Sequence, residues 1–290
     1  MVDLEFTAPL YHFTSEAGFL GIVASKKLWL CNITKSNDDR ELLIGPEVFY
    51  DAMSEAFSRD FSTETAKLLT CSARAKINSL YAGHDTFYAT CFTPNRENEK
   101  MWKEYAANDT GVSIGFRAKA MNQLSADDGG RMTKISYLNE KNEYQGRQIV
   151  DEVIDRFSAK IVASGTQHPI ALFQLAARLA CLIIISVKTV KWSYEDEIRF
   201  SYIQFSDPRR PDAPSFLNPG KMQKRVPKKI IEITGKDYVE KPFGVYKSGS
   251  YDPSGAIESV QLGRECRLSE AEVSTLMSKN GFRNFSVSRR

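Results

Sequence analysis

The chain has 290 residues, of which 42% are hydrophobic and 26% charged, so it can bury a substantial core and is not a disordered tail. Its 39 basic and 36 acidic residues give a formal charge of +3, which is too balanced to predict nucleic-acid binding from charge alone. Five cysteines without a CxxC pair and three histidines without an HExxH motif predict neither a disulfide framework nor a transition-metal site.

The segments that decide localisation are the start of the chain and its most apolar stretch. The first ten residues carry Asp3 and Glu5 and lack the basic-then-apolar order of a signal peptide. The apolar stretch at residues 182–187 is far too short to cross a bilayer. We therefore expect a cytoplasmic protein with no membrane partner.

The predicted elements mix helices and strands without regular alternation. A short strand holding His12 precedes a helix over 16–24, which Ser15 can cap. Further strands are predicted over 28–30, 86–92, 112–116, 132–138, 197–204, 229–234 and 257–262. Further helices are predicted after the polar turn at residues 37–39, over 62–80, 97–107 and 269–280, and twice between residues 140 and 187. This order favours an α+β fold over a doubly wound sheet.

No composition shift is sharp enough to divide the chain, so we expect one α+β domain over residues 1–290. Residues 42–82 are predicted to be a helical insert in this domain. Residues 207–224 are predicted to be a loop, because four prolines there disfavour regular structure.

The first unusual polar segment is Tyr11-His12-Phe13-Thr14, at a predicted strand-to-helix junction. Such junctions often carry ligand contacts, and a neutral imidazole there can hydrogen-bond a ribose hydroxyl. The alternative, which composition alone favours, is a structural histidine bonded to the backbone.

The second segment runs from residue 89 to residue 116. A predicted strand ends in Thr90, Cys91 and Thr93, and a predicted helix then carries Trp102 and Tyr105 three residues apart. Flat aromatic faces beside strand-end hydroxyls suit a planar heterocycle. The alternative is that both aromatic side chains pack on the core and that Cys91 is a small buried hydrophobe.

The third segment is residues 192–200, with the sequence WSYEDEIRF. On a strand, Glu195, Glu197 and Arg199 share one face, while Ile198 and Phe200 point to the core on the other. A carboxylate beside a guanidinium stays ionised at neutral pH and can stabilise an oxocarbenium-like sugar cation. The alternative, preferred from this segment alone, is a surface ion pair worth less than roughly 1 kcal/mol.

A polar cluster at residues 37–41 is the remaining source of oxygen ligands. Asp38 and Glu41, together with Glu195, would be the ligands of a metal-dependent hydrolase or nuclease. Their spacing matches no known metal-binding loop, so no metal site is predicted.

Taken together, these segments resemble the bacterial family known as domain of unknown function 2971. The matching positions lie in order along most of the chain: Leu10–Ser15, Leu28-Trp29, Asn37-Asp38, Glu41, Cys91–Thr93, Met101-Trp102, Tyr105-Ala106, Gly111-Val112, Ile114–Phe116, Trp192–Arg199, Leu262-Gly263 and Cys266. The chain departs from the family pattern at Thr93, where serine is usual, and at Ile198, where tryptophan is usual. A long insert between Glu41 and Thr86 changes the expected pocket rim.

The opening YHFT, followed by a helix and Leu28-Trp29, is also similar to the start of DNA-modifying ADP-ribosyltransferase toxins and of NAD-using RNA phosphotransferase relatives. This second resemblance implies a split-sheet core flanked by helices, as in ADP-ribosyltransferases. It also implies NAD as substrate, and transfer of ADP-ribose to a protein or nucleic-acid acceptor. A toxin or phage-defence role would follow by analogy.

The same resemblance assigns roles to residues. His12 and Thr14 would hold the dinucleotide, and Tyr105 or Trp102 would stack on nicotinamide. Glu197 would be catalytic, with Arg199 positioning Glu197 or a phosphate. The remaining expected nucleotide contacts are Asn37, Asp38, Cys91 and Thr93. The alternative is a non-catalytic nucleotide-binding or regulatory module that keeps the same pocket.

Overall fold

A computed structural model describes residues 5–33, 52, 54–81, 85–127, 130–138, 151, 155, 159, 185–205, 230–233, 236–247 and 250–290. Within these residues, helices accompany two large sheets and two small two-stranded sheets. The α+β class expected from the sequence is therefore confirmed. The finer likeness to the split sheet of ADP-ribosyltransferases stays a prediction.

The elements are numbered in chain order. The strands are β1 (Leu10–Thr14), β2 (Lys27–Asn32), β3 (Asp85–Phe92), β4 (Val112–Phe116), β5 (Arg131–Lys134), β6 (Ser136–Leu138), β7 (Val187–Thr189), β8 (Ile198–Phe205), β9 (Ile230–Ile233), β10 (Lys236–Pro242), β11 (Val245–Lys247), β12 (Ser250–Asp252), β13 (Ile257–Leu262) and β14 (Ser286–Arg289). The α-helices are α1 (Glu16–Ser25), α2 (Thr63–Tyr81), α3 (Glu99–Glu104), α4 (Ala118–Asp127) and α5 (Glu270–Lys279), and a 3₁₀ helix spans Val190–Glu195.

The larger sheet has six strands in the order β5-β8-β3-β2-β10-β9, and all its pairs are antiparallel. The smaller sheet has four strands in the order β1-β4-β13-β14, with a parallel pair only at β13-β14. Side chains from both sheets meet in one hydrophobic cluster, which includes Leu30, Phe200, Ile114 and Val260. Helices α1, α4 and α5 add side chains to this cluster, so the core lies between the two sheets.

One backbone bridge fixes how the two sheets meet at the candidate site. The Tyr11 N–H donates to the Thr93 carbonyl at 2.8 Å, and the Thr93 N–H donates to the Tyr11 carbonyl at 2.9 Å. This pair of bonds ties β1 of the smaller sheet to the end of β3 in the larger one. As a result, His12 is brought beside Cys91, although the two lie 79 positions apart in sequence.

Most predicted elements within the described residues are confirmed with shifted ends. Ser15 caps α1 by accepting the Gly18 N–H, and Ser269 forms a capping box with Glu272 at the start of α5. The helix predicted over 97–107 is shorter, because Asn98 caps it so that it begins at Glu99; it ends at Glu104, and residues 107–109, which all have positive φ, turn the chain away soon after. Within the described residues, the sequence analysis missed α4, β7, β10, β11, β12, β14 and the 3₁₀ helix, and the strand predicted over 132–138 is divided into β5 and β6.

Several predictions fall on residues outside the described ones. These are the helix after residues 37–39, most of the helices between 140 and 187, and the Pro-rich loop over 207–224. The predicted helical insert at 42–82 is partly described, and its second half contains α2.

Candidate functional site

A pocket of about 240 Å³ opens on the face of the six-stranded sheet that is turned away from the core. Strands β2, β3 and β8 form its floor through alternate side chains, including Cys31, Cys91 and Arg199. His12 reaches it from β1, and Tyr105 reaches it from the end of α3. The His12 imidazole and the Glu197 carboxylate, 185 positions apart in sequence, therefore line one cavity.

The centre of the pocket wall is a buried group of two cations and two carboxylates, called the charged cluster below: Lys188, Glu195, Glu197 and Arg199. Lys188 Nζ donates to Glu195 Oε2 at 2.8 Å and to Glu197 Oε2 at 3.0 Å. Arg199 Nε donates to the other oxygen of Glu197, Oε1, at 2.7 Å. The Tyr105 hydroxyl donates to Glu195 Oε1. Each carboxylate oxygen thus has a donor.

The burial of this cluster rules out the surface ion pair that the third segment alone favoured. The side chains of Glu197 and Arg199 are only 2% and 1% exposed. Removing charges from water is costly, so such a group persists only with well-placed partners on every charge. The expectation of a surface ion pair was wrong, because strand β8 is covered on this face as well.

The two carboxyl groups have pKa values displaced in opposite directions. Burial raises the pKa of Glu195 to about 7, with Lys188 opposing the shift and Glu197 adding to it. Burial alone would also raise the pKa of Glu197, but the adjacent Arg199 and Lys188 cations outweigh it and hold that pKa well below the usual range. At neutral pH Glu197 is therefore a fixed anion, while Glu195 exchanges its proton. Two carboxyl groups with separated pKa values are typical of a site with one charge stabiliser and one acid or base.

A left-handed residue explains how both carboxylates reach the same lysine. Glu195 ends the 3₁₀ helix and does not lie on β8, contrary to the expectation that it shares a strand face with Glu197. Asp196 between them has φ 42° and ψ 50°, a conformation that aspartate tolerates better than most residues. This turn directs the chain from the helix into the strand.

His12 is held by the bridge between the sheets. Its Nδ1 lies 2.9 Å from the Cys91 carbonyl, and because a carbonyl only accepts, Nδ1 carries the proton. Burial lowers the pKa of His12, against the effect of this hydrogen bond, so the ring is neutral at pH 7. In a neutral ring with Nδ1 protonated, Nε2 is a hydrogen-bond acceptor. The histidine is thus backbone-bonded, as one reading of the sequence had it, and also lines the pocket.

Cys91 and Tyr105 are the other expected contacts that line the pocket. The Cys91 side chain is accessible inside the pocket rather than buried in the core. Partial desolvation inside the pocket and the nearby Glu197 carboxylate raise the pKa of the Cys91 thiol, so the thiol is neutral at pH 7. Tyr105 is committed through its hydroxyl to Glu195, and burial likewise raises its pKa.

Thr14, Thr93 and Trp102 lie outside the pocket lining formed by the described residues. Trp102 is fully buried against Phe13, at a centroid distance of 5.1 Å, and donates its indole N–H to the Arg96 carbonyl, so it is not available for stacking on a ligand. Thr14 Oγ1 packs closely against Gly18 of α1, so closely that a Cβ at position 18 would lie only 2.1 Å from it. The backbone of Thr93 instead forms the pair of hydrogen bonds with Tyr11 that joins the two sheets. Asn37 and Asp38 are outside the described residues.

Sequence reasoning missed two groups that complete the site. Lys188 is the single charged residue in the apolar run 182–190, and a lone charge in such a run indicates a buried partner. The Tyr137 hydroxyl accepts the Glu197 backbone N–H at 2.8 Å, a contact that no sequence pattern indicates.

Among the described residues, no group of three or more His, Cys, Asp or Glu side chains is arranged to hold a metal ion. In the same part of the chain, no helix has the length and apolarity needed to cross a membrane.

The fold and site define an α+β protein with a ligand-sized pocket beside a buried charged cluster. A family model described as "Protein of unknown function (DUF2971)" matches residues 101–200, which include Tyr105 and the whole charged cluster. This match supports the resemblance to that family over these residues. No curated protein and no solved structure gives a significant match to the chain.

Proposed function

We propose that this protein binds NAD in the pocket and cleaves the bond between nicotinamide and ribose, with Glu197 facing the ribose carbon. The observation that carries the proposal is the ionised Glu197 carboxylate, buried on the wall of the same pocket that His12 lines. A buried carboxylate is screened less by water than an exposed one, so it interacts more strongly with a developing sugar cation.

The role proposed for Glu197 is electrostatic. Positive charge grows at the anomeric carbon as nicotinamide departs, so a carboxylate there stabilises the transition state more than the bound substrate. Arg199 and Lys188 support this role by holding both Glu197 oxygens and by keeping the group ionised. The Glu197 carboxylate is therefore already in position before the ligand binds. It does not need to move or change its hydrogen bonds during the reaction.

The role proposed for Glu195 is that of general base toward the acceptor. Its pKa of about 7 places it near the pH at which a base is most effective. Lys188 joins it to Glu197, so a nucleophile activated by Glu195 is near the carbon that Glu197 faces. The Tyr105 hydroxyl orients the Glu195 carboxyl group.

The acceptor in this proposal is a protein, a nucleic acid or water. ADP-ribose transfer in a toxin or in phage defence is the form suggested by the resemblance of the opening YHFT segment to ADP-ribosyltransferases. The second candidate is a non-catalytic nucleotide-binding module. The neutral His12 ring and the size of the pocket support nucleotide binding in either case.

Release of nicotinamide from NAD tests the proposal. The wild-type protein and Glu197→Gln are incubated with NAD and candidate acceptors, and free nicotinamide is quantified by chromatography. Glu258→Gln is the matched control, because Glu258 lies on β13 of the other sheet and pairs with Arg117, and neither residue lines the pocket. We expect the control to match the wild type and Glu197→Gln to lose about 100-fold or more in rate.

Two results would count against the enzymatic proposal. Equal turnover by Glu197→Gln and the wild type would remove Glu197 from the mechanism. Stabilisation of the wild-type protein by NAD in a thermal-shift measurement, with no nicotinamide released, would favour the non-catalytic module.

A further inference from the structure

Among the described residues, Trp29 is the exposed large hydrophobic side chain that lines the pocket, beside the partly buried Tyr105 and Trp192. On β2, Leu28 and Leu30 point into the core, so the alternation of the strand turns Trp29 to the other face. Its side chain is 39% exposed and lines the pocket. Of the large hydrophobic residues exposed within the described part of the chain, the other three, Leu20, Leu68 and Val190, lie outside the pocket lining. Exposed aromatic surface in a concave pocket is typical of ligand contact.

The register of the sheet places Trp29 at a defined distance from the charged cluster. On β2, Trp29 shares a face with Cys31, which pairs with Ala89 on β3, and Ala89 shares its face of β3 with Cys91. Cys91 in turn pairs with Arg199, which holds Glu197. Trp29 and Arg199 are thus two strands apart, about 10 Å at ordinary strand spacing, along the floor of one cavity. That span suits a ligand with a sugar at one end and a planar ring at the other.

The indole is also held in place before a ligand binds. Tyr238 on β10 packs beside it at a centroid distance of 5.5 Å and an interplanar angle of 48°. Glu240, the residue opposite Trp29 on β10, is paired with Lys27. A ring fixed in this way loses little conformational freedom when a second ring stacks on it. The volume of about 240 Å³ is below the roughly 300–1,000 Å³ of pockets that hold whole drug-sized ligands, so it suits one nucleoside unit.

We propose that Trp29 is the base-stacking residue of this pocket and takes the planar heteroaromatic ring of a nucleoside whose sugar lies at Glu197. For NAD this ring is nicotinamide, an assignment that rests on the proposed function. Trp29 then replaces Trp102 as the stacking residue. It determines specificity, because a sugar phosphate without a ring gains nothing from the indole face.

Calorimetric titration with two matched ligands tests this inference. Nicotinamide mononucleotide carries the ring, and ribose 5-phosphate is the same sugar phosphate without it. We expect Trp29→Ala to weaken nicotinamide mononucleotide binding on the order of tenfold, and to change ribose 5-phosphate binding less than twofold. Trp29→Phe keeps an aromatic face and should stay close to the wild type. Leu20→Ala, a similarly exposed residue outside the pocket lining, is the matched control.

A second readout does not depend on the stability of the alanine variant. If the ligand ring stacks on Trp29, ligand-induced quenching of tryptophan fluorescence in the wild type should largely disappear in Trp29→Phe. Unchanged quenching, equal weakening of both ligands, or no binding of nicotinamide mononucleotide, adenosine or cytidine by the wild type would overturn the stacking proposal. Trp29-dependent binding without NAD cleavage would keep it and reject the enzymatic proposal. Cleavage of NAD by Trp29→Ala with an unchanged KM would reject the stacking proposal and keep the enzymatic one.

Discussion

The two faces of the six-stranded sheet carry opposite kinds of side chain, although they alternate along the same strands. On one face, Leu30, Ile198 and Phe200 pack in the core between the sheets. On the other, Cys91 and Arg199 line the pocket. Because successive side chains of a strand point to opposite faces, one step along β8 changes the environment from hydrocarbon to a buried charged cluster. The core face supports stability, whereas the pocket face carries the charged cluster and the proposed ligand site.

The largest expected effect is on the pocket face, at Arg199. Arg199→Met removes the donor to Glu197 Oε1 and leaves the cluster with one cation for two carboxyl groups. Breaking a buried pair from one side leaves an uncompensated charge, so we expect the free energy of unfolding to fall by about 3–5 kcal/mol. Denaturant titration measures this, with Arg96→Met as control, because Arg96 forms an exposed pair with Glu97. Similar midpoints for both variants would mean that the cluster does not contribute to stability.

The next effect concerns the pH dependence set by Glu195. As the proposed general base, Glu195 must be ionised to act. Its pKa is raised to about 7, so wild-type kcat/KM should fall about tenfold per pH unit below that value and be constant above it. Glu195→Gln should lose about 100-fold at pH 8 and lose this inflection. NAD cleavage between pH 5.5 and 9 is the measurement. An inflection near pH 7 that persists in Glu195→Gln would assign the titration to another group.

The core face offers a smaller and purely structural effect. Phe200→Leu removes part of a fully buried ring beside Met132 and Tyr202 without touching the pocket lining. We expect a loss of about 1–2 kcal/mol in unfolding free energy. KM and kcat for NAD should stay within twofold, as measured on the folded protein at low temperature. A large change in KM would show that the two faces are not independent.

The smallest expected effect is at His12. His12→Ala removes one neutral hydrogen-bonding group from the pocket, so nucleotide affinity should fall up to about tenfold, equivalent to about 1.4 kcal/mol. Asn at this position can still hydrogen-bond, so His12→Asn should recover part of the loss. Calorimetry with nicotinamide mononucleotide provides the comparison. Identical affinities for the wild type and His12→Ala would place the ligand away from β1.

Much of this arrangement was readable from the sequence because it follows local rules. The alternation of Ile198 and Phe200 with Glu197 and Arg199 predicted which face of β8 is apolar, and the strand itself was placed within one residue of its observed start. Ser15 and the Ser269–Glu272 pair predicted both helix starts, because capping depends only on residues within one turn.

What the sequence did not indicate depends on contacts between distant segments. The exposure of Trp29 and the burial of Trp102 are decided by the packing of neighbouring elements, and both residues are compatible with either environment. The burial of Glu197 and Arg199 required knowing that β8 is covered on both faces. The pairing of Lys188 with both carboxylates depends on the left-handed turn at Asp196, which no propensity scale singles out.

The most direct test of the central claim is a crystal structure of the Glu197→Gln variant with NAD bound. We expect the nicotinamide ribose in this pocket, with its anomeric carbon within about 3.5 Å of the Gln side chain that replaces the carboxylate. A dinucleotide bound at another surface, or bound here with its ribose turned away from residue 197, would contradict the claim that this carboxylate acts on the glycosidic bond.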